Sequence, residues 1–362
     1  MDEWTDTTWG AVSTLKYGKA LPGERADGST EVFGTNGPIG WTDQPPLFSG
    51  PRPVIGRKGA YRGVHLARGN AWVIDTGYWL EPRSGIDPLW AYHALRGADI
   101  NGLESGSAIP STSRDDFYSM PVRVPPLRDQ KAIVEVLGAL DDKMAANDRV
   151  IHNADELASA TYRSLLSGQL ETSLTALADF INGKAFTKGA SGTGRVVIRI
   201  AELNSGVGSS TVYSDAEVDD RYLARPGDIL FAWSGSLTLH RWYRPEGIVN
   251  QHIFKVIPKA AVPKWLIWCA IADRLEYFKG VAADKATTMG HIQRRHLDET
   301  VVVPAPETAA SQDGFMTALW DRALAAEQES LKLVTMRDAL LPALMSGALR
   351  VKDAERLAED LT

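Results

Sequence analysis

Two stretches of the chain carry short runs of β-branched and aromatic residues bounded by Gly and Pro. Two others carry apolar residues in steps of four and three. Runs 52–57 and 71–80 read as strands in the first stretch, and runs 228–233 and 248–257 in the second. A short helix follows each pair, at 88–95 and 263–279. Between and after these stretches the period changes. Ile133, Leu137, Leu140, Met144, Asn147, Ile151, Ala154, Ala158, Thr161 and Leu165 keep heptad spacing without a break. Pro125 and Pro126 mark the start of that helix and Gly168 its end. A polar Asn147 in mid-seam is suited to fixing register. Met316, Leu319, Ala323, Ala326, Ser330, Leu333, Arg337, Leu340 and Leu344 form a second such helix. Arg337 is a poor seam residue there, and Pro342 should kink or end the helix near its last turn.

Laid against itself, the chain reads as one plan written twice. Val122-Arg-Val-Pro125 faces Val301-Val-Val-Pro304, and the same offset carries Ser167-Gly168 onto Ser346-Gly347. Gly18-Lys-Ala20 corresponds to Gly183-Lys-Ala185, and Gly59 and Pro82 correspond to Gly235 and Pro258. The offset drifts, which puts insertions in the loops of the second copy. The boundaries expected are a first domain at 1–125, a spacer helix at 126–168, a second domain at 169–304, a second spacer helix at 305–350 and a tail at 351–362.

Composition sets limits on this picture. With 362 residues and 44% hydrophobic content, the chain has room for two or three domains with cores. Its most apolar run, 265–272, is far shorter than the roughly 20 residues a bilayer span needs, and the charged opening residues lead us to expect no secretory signal. Cys269 is the only cysteine, so a disulfide framework is excluded, and a cytoplasmic location is the simplest expectation. The net charge of −6 argues mildly against a nucleic-acid binder, but the two helical segments carry that excess and the two larger domains sum to zero.

Val124-Pro-Pro-Leu-Arg-Asp-Gln130, followed by Ile133-Val134 and Leu137-Gly-Ala-Leu-Asp141, resembles the opening of the conserved helix in specificity subunits of type I restriction-modification systems. Leu165-Leu-Ser-Gly168, repeated as Leu344-Met-Ser-Gly347, is similar to that helix's end. Phe33-Gly-Thr-Asn-Gly-Pro-Ile-Gly-Trp41, Ile55-Gly-Arg-Lys-Gly59 and Trp79 resemble the family's target-recognition domain. The second copy departs from the pattern, with Ala305-Pro-Glu307 and Ala232-Trp-Ser-Gly235 at the matching places.

The resemblance implies an α+β fold: two mixed α/β target-recognition domains joined by two long antiparallel helices in a coiled coil, with pseudo-twofold symmetry. It implies a non-catalytic subunit that reads double-stranded DNA and joins two methyltransferase subunits and motor-nuclease subunits. S-adenosylmethionine, ATP and Mg are expected on those partners, and no cofactor or metal on this chain. A helix from about Gln130 to Leu166 would be roughly 55 Å long, or at most about 16 base pairs of duplex. Two dissimilar domains would then read two dissimilar short runs of bases across a fixed gap.

Base reading needs side chains that reach base edges and others that hold phosphates. In the first domain Gly56-Arg-Lys-Gly-Ala-Tyr-Arg-Gly63 offers Arg57, Lys58, Tyr61 and Arg62, which read equally as a solvated hairpin turn. Ser111, Thr112 and Arg114 form a second cluster, beside a Ser113 that also reads as a helix cap. Lys19 joins this set. In the second domain the corresponding loops carry Ser234, Ser236, Thr238, His240 and Arg241, then Lys285, Thr288, His291, Gln293, Arg294 and Arg295. Arg suits guanine and Gln suits adenine, while Lys184 and Lys188 fall to phosphate.

A lone enzyme is the main rival reading. Ser234-Gly-Ser236 lacks a nucleophile elbow, Gly183-Lys-Ala185 lacks a phosphate loop's spacing, and no Asn/Asp-Pro-Pro-aromatic methyltransferase motif occurs. Two more readings stay open from the residues alone. One is a non-DNA coiled-coil scaffold with two β-rich binding domains, and the second is an orphan recognition subunit of another phage-defence methyltransferase.

Overall fold

The structure is a computed structural model and describes residues 4–21, 28–59, 61–103, 110–167, 169–283 and 290–359. The chain divides into two compact units, Met1–Asp142 with Leu333–Thr362, and Lys143–Lys332.

In the first unit β1 (Thr5–Thr8) leads through a single helical turn, α1 (Trp9–Val12), into β2 (Ser13–Tyr17). There follow β3 (Thr30–Gly34), β4 (Gly37–Thr42), β5 (Arg52–Gly56), β6 (Val64–Ala67), β7 (Ala71–Val73) and β8 (Gly77–Pro82). The helices α2 (Pro88–Arg96) and α3 (Arg114–Ser119) precede β9 (Pro121–Val124). Strands pair in the order β2-β8-β5-β6, all antiparallel, and β4-β3-β7, with β7 parallel to β3. A separate ribbon joins β1 to β9. Trp9, Trp90 and Phe117 are buried together, with ring centroids 6.2 and 5.9 Å apart.

The long helix α4 runs from Leu127 to Ser164. The second unit continues with β10 (Gln169–Ser173), α5 (Leu174–Leu177), β11 (Ala178–Asn182), β12 (Arg195–Ile198), α6 (Ile200–Ser205), β13 (Tyr213–Ser214) and β14 (Leu223–Ala224). Next come β15 (Ile229–Ala232), β16 (Thr238–Arg241), β17 (Gly247–Val249), β18 (Ile253–Pro258), α7 (Lys264–Ala283) and β19 (Thr300–Pro304). Here too one sheet is antiparallel, β11-β18-β15-β16, and the other, β13-β12-β17-β14, holds one parallel pair, β12 with β17. A ribbon joins β10 to β19. Phe180, Phe231, Trp265, Ile267, Ile271 and Phe278 fill the main core. Side chains of this size stabilise by about 2 kcal/mol each when fully buried. The chain ends with α8 (Pro306–Ser346) and α9 (Val351–Glu359).

Each of the runs 71–80 and 248–257 was expected to be one strand, and each is two. The chain leaves β7 and enters β8 through a turn closed by Gly77 N–H donating to the Ile74 carbonyl (3.0 Å). It leaves β17 and enters β18 through a turn in which His252 takes φ 74°. In each unit the two halves belong to different sheets, and burial of both halves hides the break from a pattern of hydrophobicity. Gly18 and Gly183 lie against these breaks. A Cβ on Gly18 would stand 2.0 Å from the Ile74 carbonyl oxygen, and one on Gly183 2.1 Å from that of Asn250. No side chain fits at either place.

The heptad positions are largely buried: Ile133, Leu137, Leu140, Ala154 and Ala158 on α4, and Met316, Ala323, Ala326, Leu333, Leu340 and Leu344 on α8. Asn147 is buried among them. Arg337 keeps its seam place by donating to Asp141 (3.1 Å) within the first unit. The helix passes through Pro342 and stops one turn later, where Gly347 takes φ 73°. Gln130, the last residue of the Pro-Pro-Leu-Arg-Asp-Gln run, ties the start of α4 to the loop before α2. Its buried amide donates to the carbonyls of Gly85 (3.0 Å) and Pro125 (2.9 Å) and accepts from Asp87 N–H (2.8 Å). Asp87 in turn caps α2 through Leu89 and Trp90 N–H.

Candidate nucleic-acid interface

The two polar clusters of the first unit, separate in sequence, are stitched together by main-chain hydrogen bonds. Gly59 N–H donates to the Pro110 carbonyl (2.9 Å), Thr112 N–H donates to Arg57 (2.9 Å), and Lys58 pairs with Ser111 as an antiparallel bridge. The second unit uses the same device. Gly235 N–H donates to the Gly290 carbonyl (2.9 Å), Ile292 N–H donates to Trp233 (3.1 Å), and Ser234 pairs with His291. In each unit, then, a loop leaving the central strand of the antiparallel sheet is joined to a loop that follows the helix.

On the first junction Lys58 and Tyr61 are exposed, Tyr61 at 79%. Arg57 and Arg114 are half-buried and share the ring of Tyr17, with Cζ atoms 5.1 and 5.0 Å from its centroid. Arg57 also lies 5.8 Å from the Tyr78 ring and donates to the Asp75 carbonyl (2.8 Å). Arg114 donates to the Tyr118 hydroxyl (2.9 Å). A hydrogen bond from Arg114 holds the Tyr17 phenol below its ordinary range. Lys19 is exposed, and its main chain joins Val73 and Trp72. Ser113 caps α3 by accepting from Asp116 N–H (3.2 Å), as the cap reading expects.

Four expected contact residues prove to be part of the scaffold. Arg62 is buried at 2% exposure. It donates to the carbonyls of Gly59 (2.9 Å) and Asn101 (2.6 Å), so its fork closes the loop from within. Thr112 is buried and its hydroxyl donates to the Gly56 carbonyl (2.9 Å). Ser234 is buried at the bridge to His291. Arg241 lies at 3% exposure, against the rings of Trp268 (5.2 Å) and Trp320 (4.3 Å), which themselves meet edge-on. It donates to Asp155 of α4 (2.9 Å) and Glu327 of α8 (3.2 Å). Burial raises both carboxyls, Glu327 to about 7.

Around the second junction Ser236, Thr238 and His240 converge on Asn204. The Asn204 amide donates to Ser236 Oγ (2.8 Å), and its oxygen accepts from Thr238 (3.2 Å) and His240 Nε2 (3.3 Å). Burial lowers the His240 pKa and so favours the neutral ring. Arg294 and Arg295 are exposed on a short 3-10 turn that exposed Gln293 precedes, and half-buried His291 meets Trp233 edge-on at 6.3 Å. Lys184 and Lys188 are exposed, Lys184 with its ammonium 4.9 Å from the Tyr222 ring. Lys285 and Thr288 lie outside the described residues. Tyr17, Asn182 and Asn204 were not singled out in the sequence. Tyr17 and Asn182 directly precede the repeated Gly-Lys-Ala, which was the available signal, whereas Asn204 carries none. Among the described residues no cluster of three or more His, Cys, Asp or Glu is placed to hold a metal, and no helix is long and apolar enough to cross a membrane.

Residues 2–153 match the family model for the type I restriction modification DNA specificity domain. Among solved structures the chain is similar to the S subunit of a type I restriction-modification system from M. genitalium. That match has a TM-score of 0.60 and 17% identity, and covers 94% of this chain and 96% of that one. It is also similar to the HsdS subunit from Thermoanaerobacter tengcongensis, at 16% identity over 96% of this chain and 98% of that one, with a TM-score of 0.33. The first likeness is one of fold, and a score as low as the second adds nothing to it. No curated protein matches the chain's sequence.

Proposed function

Since residues 2–153 match a type I restriction modification DNA specificity domain, we propose that the whole chain is the sequence-reading subunit of such a system. It binds duplex DNA, reads one short run of bases with each unit, and performs no chemistry itself. Two methyltransferase subunits carry S-adenosylmethionine, and motor-nuclease subunits carry ATP and Mg. The two long helices, α4 and α8, lie antiparallel and set the unread gap between the half-targets.

One observation carries this reading. The same pair of bonded loops occurs in both units, and it presents different exposed polar side chains in each. A common main chain with exchanged side chains suits two modules that perform one task on two different base runs. The set pairs groups suited to base edges, such as Arg57 and Gln293, with exposed lysines suited to phosphates.

Co-expression with a cognate methyltransferase subunit, followed by single-molecule sequencing of methylated DNA, tests it. The expected product is an asymmetric motif in two parts with a fixed gap. Exchange of residues 9–125 for those of another specificity subunit should change one part and leave the other. A palindromic motif, no motif, or a change in both parts would refute the proposal.

A further inference from the structure

Three positions match between the units by strand register. Tyr17, at the end of β2, faces Tyr78, which also faces Ile55 of β5, and Arg57 lies two residues beyond Ile55. In the second unit Asn182, at the end of β11, faces Phe254, which also faces Phe231 of β15, and Trp233 lies two residues beyond Phe231. Gly18 and Gly183 follow the first members, and the bonded glycines 59 and 235 follow the last by two residues. The main chain is therefore the same site, while Tyr-Tyr-Arg has been replaced by Asn-Phe-Trp.

In the first unit the three side chains touch one another, and in the second Trp233 touches both of the others. Arg57 lies over Tyr17 at 5.1 Å and Tyr78 at 5.8 Å. Trp233 stacks on Phe254 at 5.7 Å and donates its indole N–H to the Asn182 side chain (2.8 Å). The chemistry left over differs. The Asp75 carbonyl takes one donor of the Arg57 fork, and most of its N–H groups remain. Trp233 has spent its single polar hydrogen and offers only a ring face. Among the described residues neither Arg57 nor Arg114 is paired with a carboxylate, although the chain carries an excess of acidic groups. Two guanidiniums on one phenol ring repel each other, and their partners here are neutral groups, so an electronegative ligand is what balances their charge. A fork fixed in its plane by ring contacts matches the two acceptors, O6 and N7, on the major-groove edge of guanine.

We propose that positions 57 and 233 are one base-reading position used twice with different chemistry. Arg57 takes a guanine in the first half-target, and Tyr17 is the positioning residue that holds its fork. Trp233, held by Asn182, leaves the matching position of the second half-target without such a contact. This inference rests on the DNA-reading function proposed above.

The test uses the full chain assembled with its methyltransferase subunit, with Arg57→Lys and Tyr17→Leu as the variants. The readout is methylation of sites with guanine, and with each other base, at every position of the motif. Arg57→Lys keeps the charge and loses the fork. Preference for guanine at one position of the first half should fall by about tenfold or more, with the second half unchanged. Tyr17→Leu should relax the same position, which a merely structural loss would not do, because that would lower methylation at all sites alike. Thermal melting of both variants checks folding, and Arg57→Gln serves as a second replacement if Arg57→Lys melts early. The inference is overturned if Arg57→Lys weakens all sequences equally, as a phosphate contact would, or if it leaves guanine preference intact. If the unaltered complex shows no two-part motif, the earlier functional reading fails instead.

Discussion

Arg241 offers a direct contest between its place in the sequence and its place in the fold. The substitution Arg241→Met keeps an unbranched apolar stem against Trp268 and Trp320 and removes the charge shared by Asp155 and Glu327. Removing one member of a buried ion pair costs about 3–5 kcal/mol, because the remaining charge is left unpaired. Two circumstances reduce that figure. Asp155 retains 35% side-chain exposure and so keeps some water. Glu327, already at about 7 through burial, can take up a proton, and loss of the guanidinium raises its carboxyl further. In the native protein this raised carboxyl binds a proton that the unfolded chain releases, so its share of stability falls as pH rises from about 4.5 to 7. In the variant the fall continues to higher pH, at about 1.4 kcal/mol per pH unit. The expected loss is about 2 kcal/mol near pH 6, growing to about 4 kcal/mol near pH 8.5. Urea unfolding followed by tryptophan fluorescence at the two pH values measures it, and adding Glu327→Gln should flatten the pH dependence. An Arg241→Met protein as stable as the parent at both pH values, yet deficient in DNA binding, would refute the buried anchor and restore the contact read from the sequence.

Two further outcomes follow from buried groups. Gln130→Leu leaves the Asp87 N–H and the Gly85 and Pro125 carbonyls without their partner. It should therefore cost about 2–3 kcal/mol in chemical unfolding; a loss below about 0.5 kcal/mol would mean the clamp is idle. Burial lowers His93 to about 4, with Arg96, Arg337 and Arg68 adding to the effect and Asp141 opposing it. Its contribution is full above the unfolded value near 6.5 and is lost as pH falls toward 4, about 3 kcal/mol in all. His93→Phe should therefore lose less stability than the parent between those pH values in parallel urea titrations, and equal slopes would refute the assignment.

How much of the candidate interface was legible in advance varies by residue. The loop at 56–63 and the cluster at 111–114 were visible as polar, glycine-rich segments. Their hydrogen-bonded union was not, because it depends on strands that pair across the whole first unit. Arg62 and Arg241 looked like exposed cations because charged residues are rarely buried without partners. Their partners lie far along the chain, at Asn101 for one and at Asp155 and Glu327 for the other.

Periodicity alone determined the helices α4 and α8 and most of their buried faces, since a step of four and three allows no other regular structure. Self-comparison picked out the glycines at 18 and 183, each of which stands against a neighbouring main chain. Only the tertiary structure decided where the runs 71–80 and 248–257 divide, because both halves of each are equally apolar and the break is a change of sheet. It alone decided which cations serve the scaffold and which face outward, since burial is a property of what surrounds a side chain and not of the side chain itself.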